Sequence, residues 1–242
     1  FATLDARFEE TEQDVESHKA EFASYKFGDR PYTVTYTELF LDEVNGNDSN
    51  DGTTITKAKK SWSNLHKSIP ILLTDNLTIK IVGNYNGVII LGGVYLNNAR
   101  ASTTPYTLII QGDSGDKNNH VLTGYFKLQG ISAPLEVRHL TIDSTTTNDV
   151  HSCESIILQN LTFKKHGLSV SYGNAVVRDC HFTDSPGQCI LANTHGKVLS
   201  RDNTGEGVYG LRAYPGGTII KNGSQPTGTS LDEQSTEGGL IR

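Results

Sequence analysis

Four short segments of this chain carry one pattern at near-regular intervals. They span residues 137–142, 158–163, 177–182 and 200–203, with starts 21, 19 and 23 residues apart. Residues 219–222 continue the series 19 positions later. A second set interleaves at 167–170, 188–191 and 209–212, where Leu168, Ile190 and Leu211 are 22 and 21 apart. Two or three short strands in each repeat, with no helical pattern between them, predict the coils of a parallel β-helix. One such coil cannot bury its apolar side alone, so coils must stack into a common core. A β-sandwich also has frequent strands, but it does not return matched strands at every second or third element.

Composition agrees with strands and turns. Asn (17), Thr (26) and Gly (24) together make 67 of 242 residues, a mixture poor for helices. The net charge of −6 argues against a nucleic-acid partner, which calls for a basic face. No apolar run approaches the ~20 residues of a membrane span, so no membrane insertion is expected. Cys153, Cys180 and Cys189 lack metal-ligand spacing and read as buried apolar thiols. The chain has no Met, as expected of a fragment or a processed product.

The first thirty residues form a different element. Phe1, Leu4, Phe8, Thr11, Val15, His18, Phe22 and Tyr25 follow an unbroken 3-4 spacing. Phe1, Phe8, Val15 and Phe22 take the a positions of a heptad; Leu4, Thr11, His18 and Tyr25 take the d positions. Eight acids and four bases flank this seam, so a net −4 sits within residues 1–30. So polar a helix is marginal alone. It is expected to self-associate as a coiled-coil trimerisation stem, the alternative being one amphipathic helix packed on its own domain. Gly28-Asp29-Arg30-Pro31 then ends it, and a Thr/Tyr-rich strand is expected over 32–40.

Aligning the repeats stacks His139, Asn160, Asp179 and Asp202 in one column. This column is read as the turn between two strands, where a left-handed residue is needed and Asn or Asp tolerates it. The preceding column holds Arg138, Gln159, Arg178 and Arg201. Strand alternation places it outside, as a guanidinium stripe suited to an anionic glycan, or as a solvated face with local salt bridges.

Residues 44–53 read Val-Asn-Gly-Asn-Asp-Ser-Asn-Asp-Gly-Thr, and residues 61–70 read Ser-Trp-Ser-Asn-Leu-His-Lys-Ser-Ile-Pro. Together they resemble the opening of pectin-lyase-like right-handed β-helices of bacteriophage tail fibres and tailspikes. The resemblance implies a turn leading into a short helix, near 61–69, that caps the open end of the coil stack. Trp62, Leu65 and Ile69 would face inward and Pro70 would end it. The sequence departs from the family form at Asn47, which precedes Asp48. The Asn/Asp turn lacks the closing Glu of a calcium loop, so no metal site is assigned.

Three parts follow: a coiled-coil stem over 1–30, a β-helix over 31–222 and a polar tail or linker over 223–242. The expected function is host attachment. The chain would act in the virion, made in the host cytoplasm, as a homotrimer with other phage tail or appendage proteins. Its candidate glycan-binding residues are Arg138, Arg178, Arg201, Tyr172, Tyr209 and Arg212, with Tyr214, His166 and His195 nearby. The alternative is a capsule- or wall-polysaccharide depolymerase. Its paired carboxylates would come from Asp143, Asp149, Glu154, Asp179, Asp184, Asp202 and Glu206. A bacterial surface adhesin of like architecture is a further alternative. No cofactor is implied, and no catalytic residue can be assigned.

Overall fold

A computed structural model describes residues 26–27, 29–96 and 106–242. The heptad seam, with the residues expected to trimerise, lies outside the described residues. The described chain is a parallel β-helix of about six turns. Among the described residues, helix is confined to Trp62–His66 and two single 3₁₀ turns, Ile55–Lys57 and Lys117–Asn119.

Three faces run along the coil axis. Face A is a nine-stranded sheet from Glu38–Leu41 through Leu77–Ile81, Leu108–Gly112, Leu135–Arg138, Ile156–Gln159, Asn174–Arg178, Lys197–Arg201 and Thr218–Asn222 to Leu240–Ile241. Face B stacks Val121–Leu122, Thr141–Asp143, Thr162–Lys164 and the first part of His181–Asn193. Face C stacks Ile89–Gly92, Phe126–Gln129, Asn148–His151, Leu168–Ser171 and the last part of His181–Asn193. Every neighbouring pair on these faces is parallel, because each strand meets its counterpart one coil later.

The sequence repeat matches the register. Val137, Leu158, Val177 and Ser200 pair in succession, as do Leu168, Ile190 and Leu211. The final repeat differs from the sequence alignment. Ser200 pairs with Lys221 rather than Ile219, a slip of two. A slip of two keeps every side chain on its own face, so hydrophobic pattern alone cannot detect it. Residues 223–242 carry two further strands. Thr227–Ser235 pairs with Thr204–Ala213, and Leu240–Ile241 pairs with Thr218–Asn222. The strand expected over 32–40 narrows to Glu38–Leu41.

The core is a set of inward rows. Face A contributes Leu77, Leu108, Leu135, Ile156, Ala175, Val198 and Ile219, all buried. Face C contributes Leu91, Leu128, Val150, Val170, Ala192 and Ala213, shrinking toward the last coils. Phe126, Phe163 and Phe182 fill the interior, with Phe163 and Phe182 stacked at 4.9 Å and 6°. The corner after face A is left-handed on five successive coils. His139, Asn160, Asp179 and Asp202 have φ of 55, 49, 55 and 50°, and Gly223 takes 65°. These single residues bend the chain from face A to face B without a loop.

The capping helix Trp62–His66 covers the first strand of face A, with Trp62, Leu65 and Ile69 buried. Its approach is fixed by side-chain acceptors. The Asp48 carboxylate takes hydrogen bonds from the Lys60 and Ser61 N–H groups and from the Ser61 hydroxyl. Trp62 Nε1 donates to the Ile90 carbonyl at 2.9 Å. The other Asn/Asp side chains of the turn serve the backbone too: Asn47 accepts from Ser49, and Asp51 from Thr53.

Candidate functional site

The guanidinium row occupies the outer side of face A, next to the left-handed corner. Gln111, Arg138, Gln159, Arg178, Arg201 and Asn222 follow one another in register. The row partly satisfies itself. Arg138 Nε donates to Gln111 Oε1 at 2.7 Å, and Arg178 Nη2 donates to Gln159 Oε1 at 2.7 Å. Arg138 also pairs with Glu136 at 3.2 Å, and Arg201 with Asp202 at 3.2 Å. Amide acceptors between guanidinium groups reduce the repulsion that stacked cations would otherwise suffer at about 4.8 Å spacing. Below it, Asn160 Nδ2 donates to His139 Nδ1 at 2.8 Å. Burial, with Arg138 adding to it, lowers the His139 pKa, which keeps its ring neutral and able to accept that bond.

A second group forms where face C turns back to face A. Tyr172 sits in a left-handed corner (φ 52°) and is 56% exposed. His151 meets its ring edge-on at 5.4 Å, and His195 lies nearly parallel to it at 6.3 Å. The three come from consecutive coils, joined by the Ser152 N–H to Ser171 carbonyl and Tyr172 N–H to Thr194 carbonyl bonds. The next coil adds Tyr209, Arg212 and Tyr214. The Arg212 guanidinium lies 4.2 Å from the Tyr209 ring centre and 4.4 Å from that of Tyr214. Two aromatic faces thus hold one cation between them. His195 bonds through its N–H to the Pro215 carbonyl, so Tyr214 continues the same corner.

The six candidate glycan residues therefore fall into two groups. Arg138, Arg178 and Arg201 share the row beside the first corner of face A. Tyr172, Tyr209 and Arg212 lie across that face, on the other corner and on face C. Tyr214 and His195 join the second group, as does His151, which the repeat did not mark. Its signal was present: His151 precedes Ser152, the residue one coil below Tyr172.

The candidate carboxylates separate likewise. Asp143 is tied to Lys165 at 2.5 Å. Burial raises the Asp149 carboxyl on face C, against the opposing pull of His151 and Lys127. Asp184 and Glu206 instead line one cleft of about 590 Å³ with His181, Thr227 and Thr229. This cleft exists because His181–Asn193 and Thr204–Ala213 run through the corner between faces B and C, with register shifts between Phe182 and Ser185 and between Ser185 and Gln188. Bulges of this kind re-aim side chains. His181 Nδ1 pairs with the Thr204 hydroxyl at 2.9 Å.

Among the described residues no three His, Cys, Asp or Glu converge as a metal set, and no helix is long and apolar enough to cross a membrane. The three cysteines are buried and unpaired. No protein-family model matches the chain, and no curated protein matches it.

Proposed function

We propose that this chain is part of a phage tail fibre or tailspike that attaches the particle to cell-surface polysaccharide on the host. In this reading the β-helix is right-handed, acts as a homotrimer and binds glycan through its solvent faces. The observation that carries it is the aromatic corner of His151, Tyr172 and His195, continued by the Tyr209–Arg212–Tyr214 clamp. The rings of His151, Tyr172 and His195 on consecutive coils suit contact with the apolar faces of successive sugars, while the Arg212 guanidinium and the tyrosine hydroxyls meet their edges. The resemblance of residues 44–70 to the opening of phage β-helices, and the heptad spacing of residues 1–25, support the place in a virion appendage.

Titration of the full chain with purified capsular and lipopolysaccharide glycans tests this. One glycan class should bind, and Tyr209→Ala should weaken it about tenfold, the loss of roughly 1.4 kcal/mol. Silence across the panel, or a Tyr209→Ala chain that binds as well as the parent, sinks the reading.

The Asp184–Glu206 cleft favours a second reading, a polysaccharide-cleaving β-helix. Two carboxylates on adjacent coils suit glycosidic bond cleavage. Release of reducing ends from the bound glycan, abolished by Glu206→Gln, would establish it in place of simple adhesion.

A further inference from the structure

Face A has a second outward row besides the guanidinium row, and its later half is aliphatic. Ile157, Val176, Leu199 and Ile220 pair in succession on four coils. They contribute nothing to the core, since the alternate positions Ile156, Ala175, Val198 and Ile219 fill it. Leu199 is 38% and Ile220 41% exposed. A shallow groove of about 460 Å³ follows the row, with Glu154, Lys197 and Arg242 in its walls. Outward positions elsewhere are mostly polar: Asp143, Lys164 and Thr183 on face B, and Lys127, Asp149, Ser169 and Arg212 on face C, where Ile90 and Leu191 are the apolar members of the row. An aliphatic strip about 14 Å long on an open sheet face invites aggregation unless something covers it.

We propose that this row is where copies of the chain pack side by side. The occupant is a second copy because of what precedes the β-helix. Only 13 positions separate Tyr25, the last residue of the heptad seam, from Glu38, which opens face A. Copies joined in parallel through that seam carry their coils at equal heights. The four aliphatic side chains of one copy then meet those of the next level for level. An apolar centre with charged residues beside it is the usual make-up of such a contact. This inference rests on the homotrimer of the proposed reading but not on glycan binding, and its test uses no glycan.

The test is disulfide trapping in the full chain. The native thiols are buried, so a single Leu199→Cys substitution supplies the reactive one. Ser169→Cys, outward on face C, is the control. After mild oxidation with diamide, Leu199→Cys should run as a covalent dimer on a denaturing gel and Ser169→Cys as a single chain. Adding Ile220→Lys to Leu199→Cys should cut the dimer at least fivefold. Light scattering on the parent chain should give a multiple of 26.4 kDa. A 26.4 kDa parent overturns the proposal, as it would if residues 1–25 of the same chain covered the row. So does equal cross-linking at Leu199→Cys and Ser169→Cys.

Discussion

Asn203 joins two coils through one buried side chain. Its Oδ1 accepts from the Cys180 N–H at 2.9 Å, while Nδ2 donates to the Val177 carbonyl at 2.8 Å and the Ser200 hydroxyl at 2.9 Å. Asn203→Ala strands a buried N–H and a buried carbonyl, which costs about 2–4 kcal/mol in all. Urea unfolding of the variant should show that loss, and a change below about 1 kcal/mol would mean water replaces the amide. The thiols act at the same scale. Burial pushes Cys180 and Cys189 up to about 12, and it raises Cys153 as well. A thiol of the unfolded chain ionises near about pH 8.5. Above that pH the folded state holds protons that the unfolded state has lost, so stability declines from about pH 9 toward 12. The urea midpoint should fall between pH 8 and pH 10.5, and replacing both cysteines by Ala should flatten the decline. Sequence could read the left-handed corner residues because Asn and Asp tolerate that backbone. It could not read Asn203 as an interior bridge, since its partners are set by coil stacking.

Among elements, the cap depends on a residue that the sequence marked only as a helix breaker. Arg30 lies in a short antiparallel pair with Phe27. Its Nε, Nη1 and Nη2 donate to the carbonyls of Ile69, Gly92 and Pro70 at 2.9, 2.6 and 2.8 Å. One planar fork thus ties the end of the capping segment to the first strand of face C. Burial lowers the Arg30 pKa, yet three carbonyl acceptors suit its charged form. Lysine keeps the charge but cannot reach three divergent carbonyls. Arg30→Lys should therefore cost about 1–3 kcal/mol, read as a lower thermal midpoint. Near-parent stability would show that charge alone suffices. The capping helix was expected from the resemblance of residues 44–70 to the opening of phage β-helices, which placed Trp62, Leu65 and Ile69 inward. The tie from Arg30 was not, because its acceptors lie 39 to 62 residues away.

For the whole molecule, the core ends in polar side chains at its last coil. The inward rows that hold Val177 and Leu211 continue as Ser200, Lys221 and Glu233. Lys221 and Glu233 pair at 2.5 Å across the end of the stack, both partly exposed. A solenoid is stabilised by contacts between neighbouring coils, so terminal coils open first. Amide exchange should be slowest in Leu135–Arg138 and Ile156–Gln159 and fastest in Thr227–Ser235. Uniform protection would show the stack to be a single cooperative block. The sequence by itself determined the repeating coil and the left-handed corners. Both follow from local chemistry: strand alternation and the turn tolerance of Asn and Asp. Tertiary structure alone decided which side chains meet across coils. It made Gln111 and Gln159 acceptors for the Arg138 and Arg178 guanidinium groups and set the arginine row apart from the aromatic corner. It also ran faces B and C together in long bulged strands. Coil lengths vary by a few residues, and a two-residue slip leaves every side chain on its face, so only the stacked backbone could fix the register.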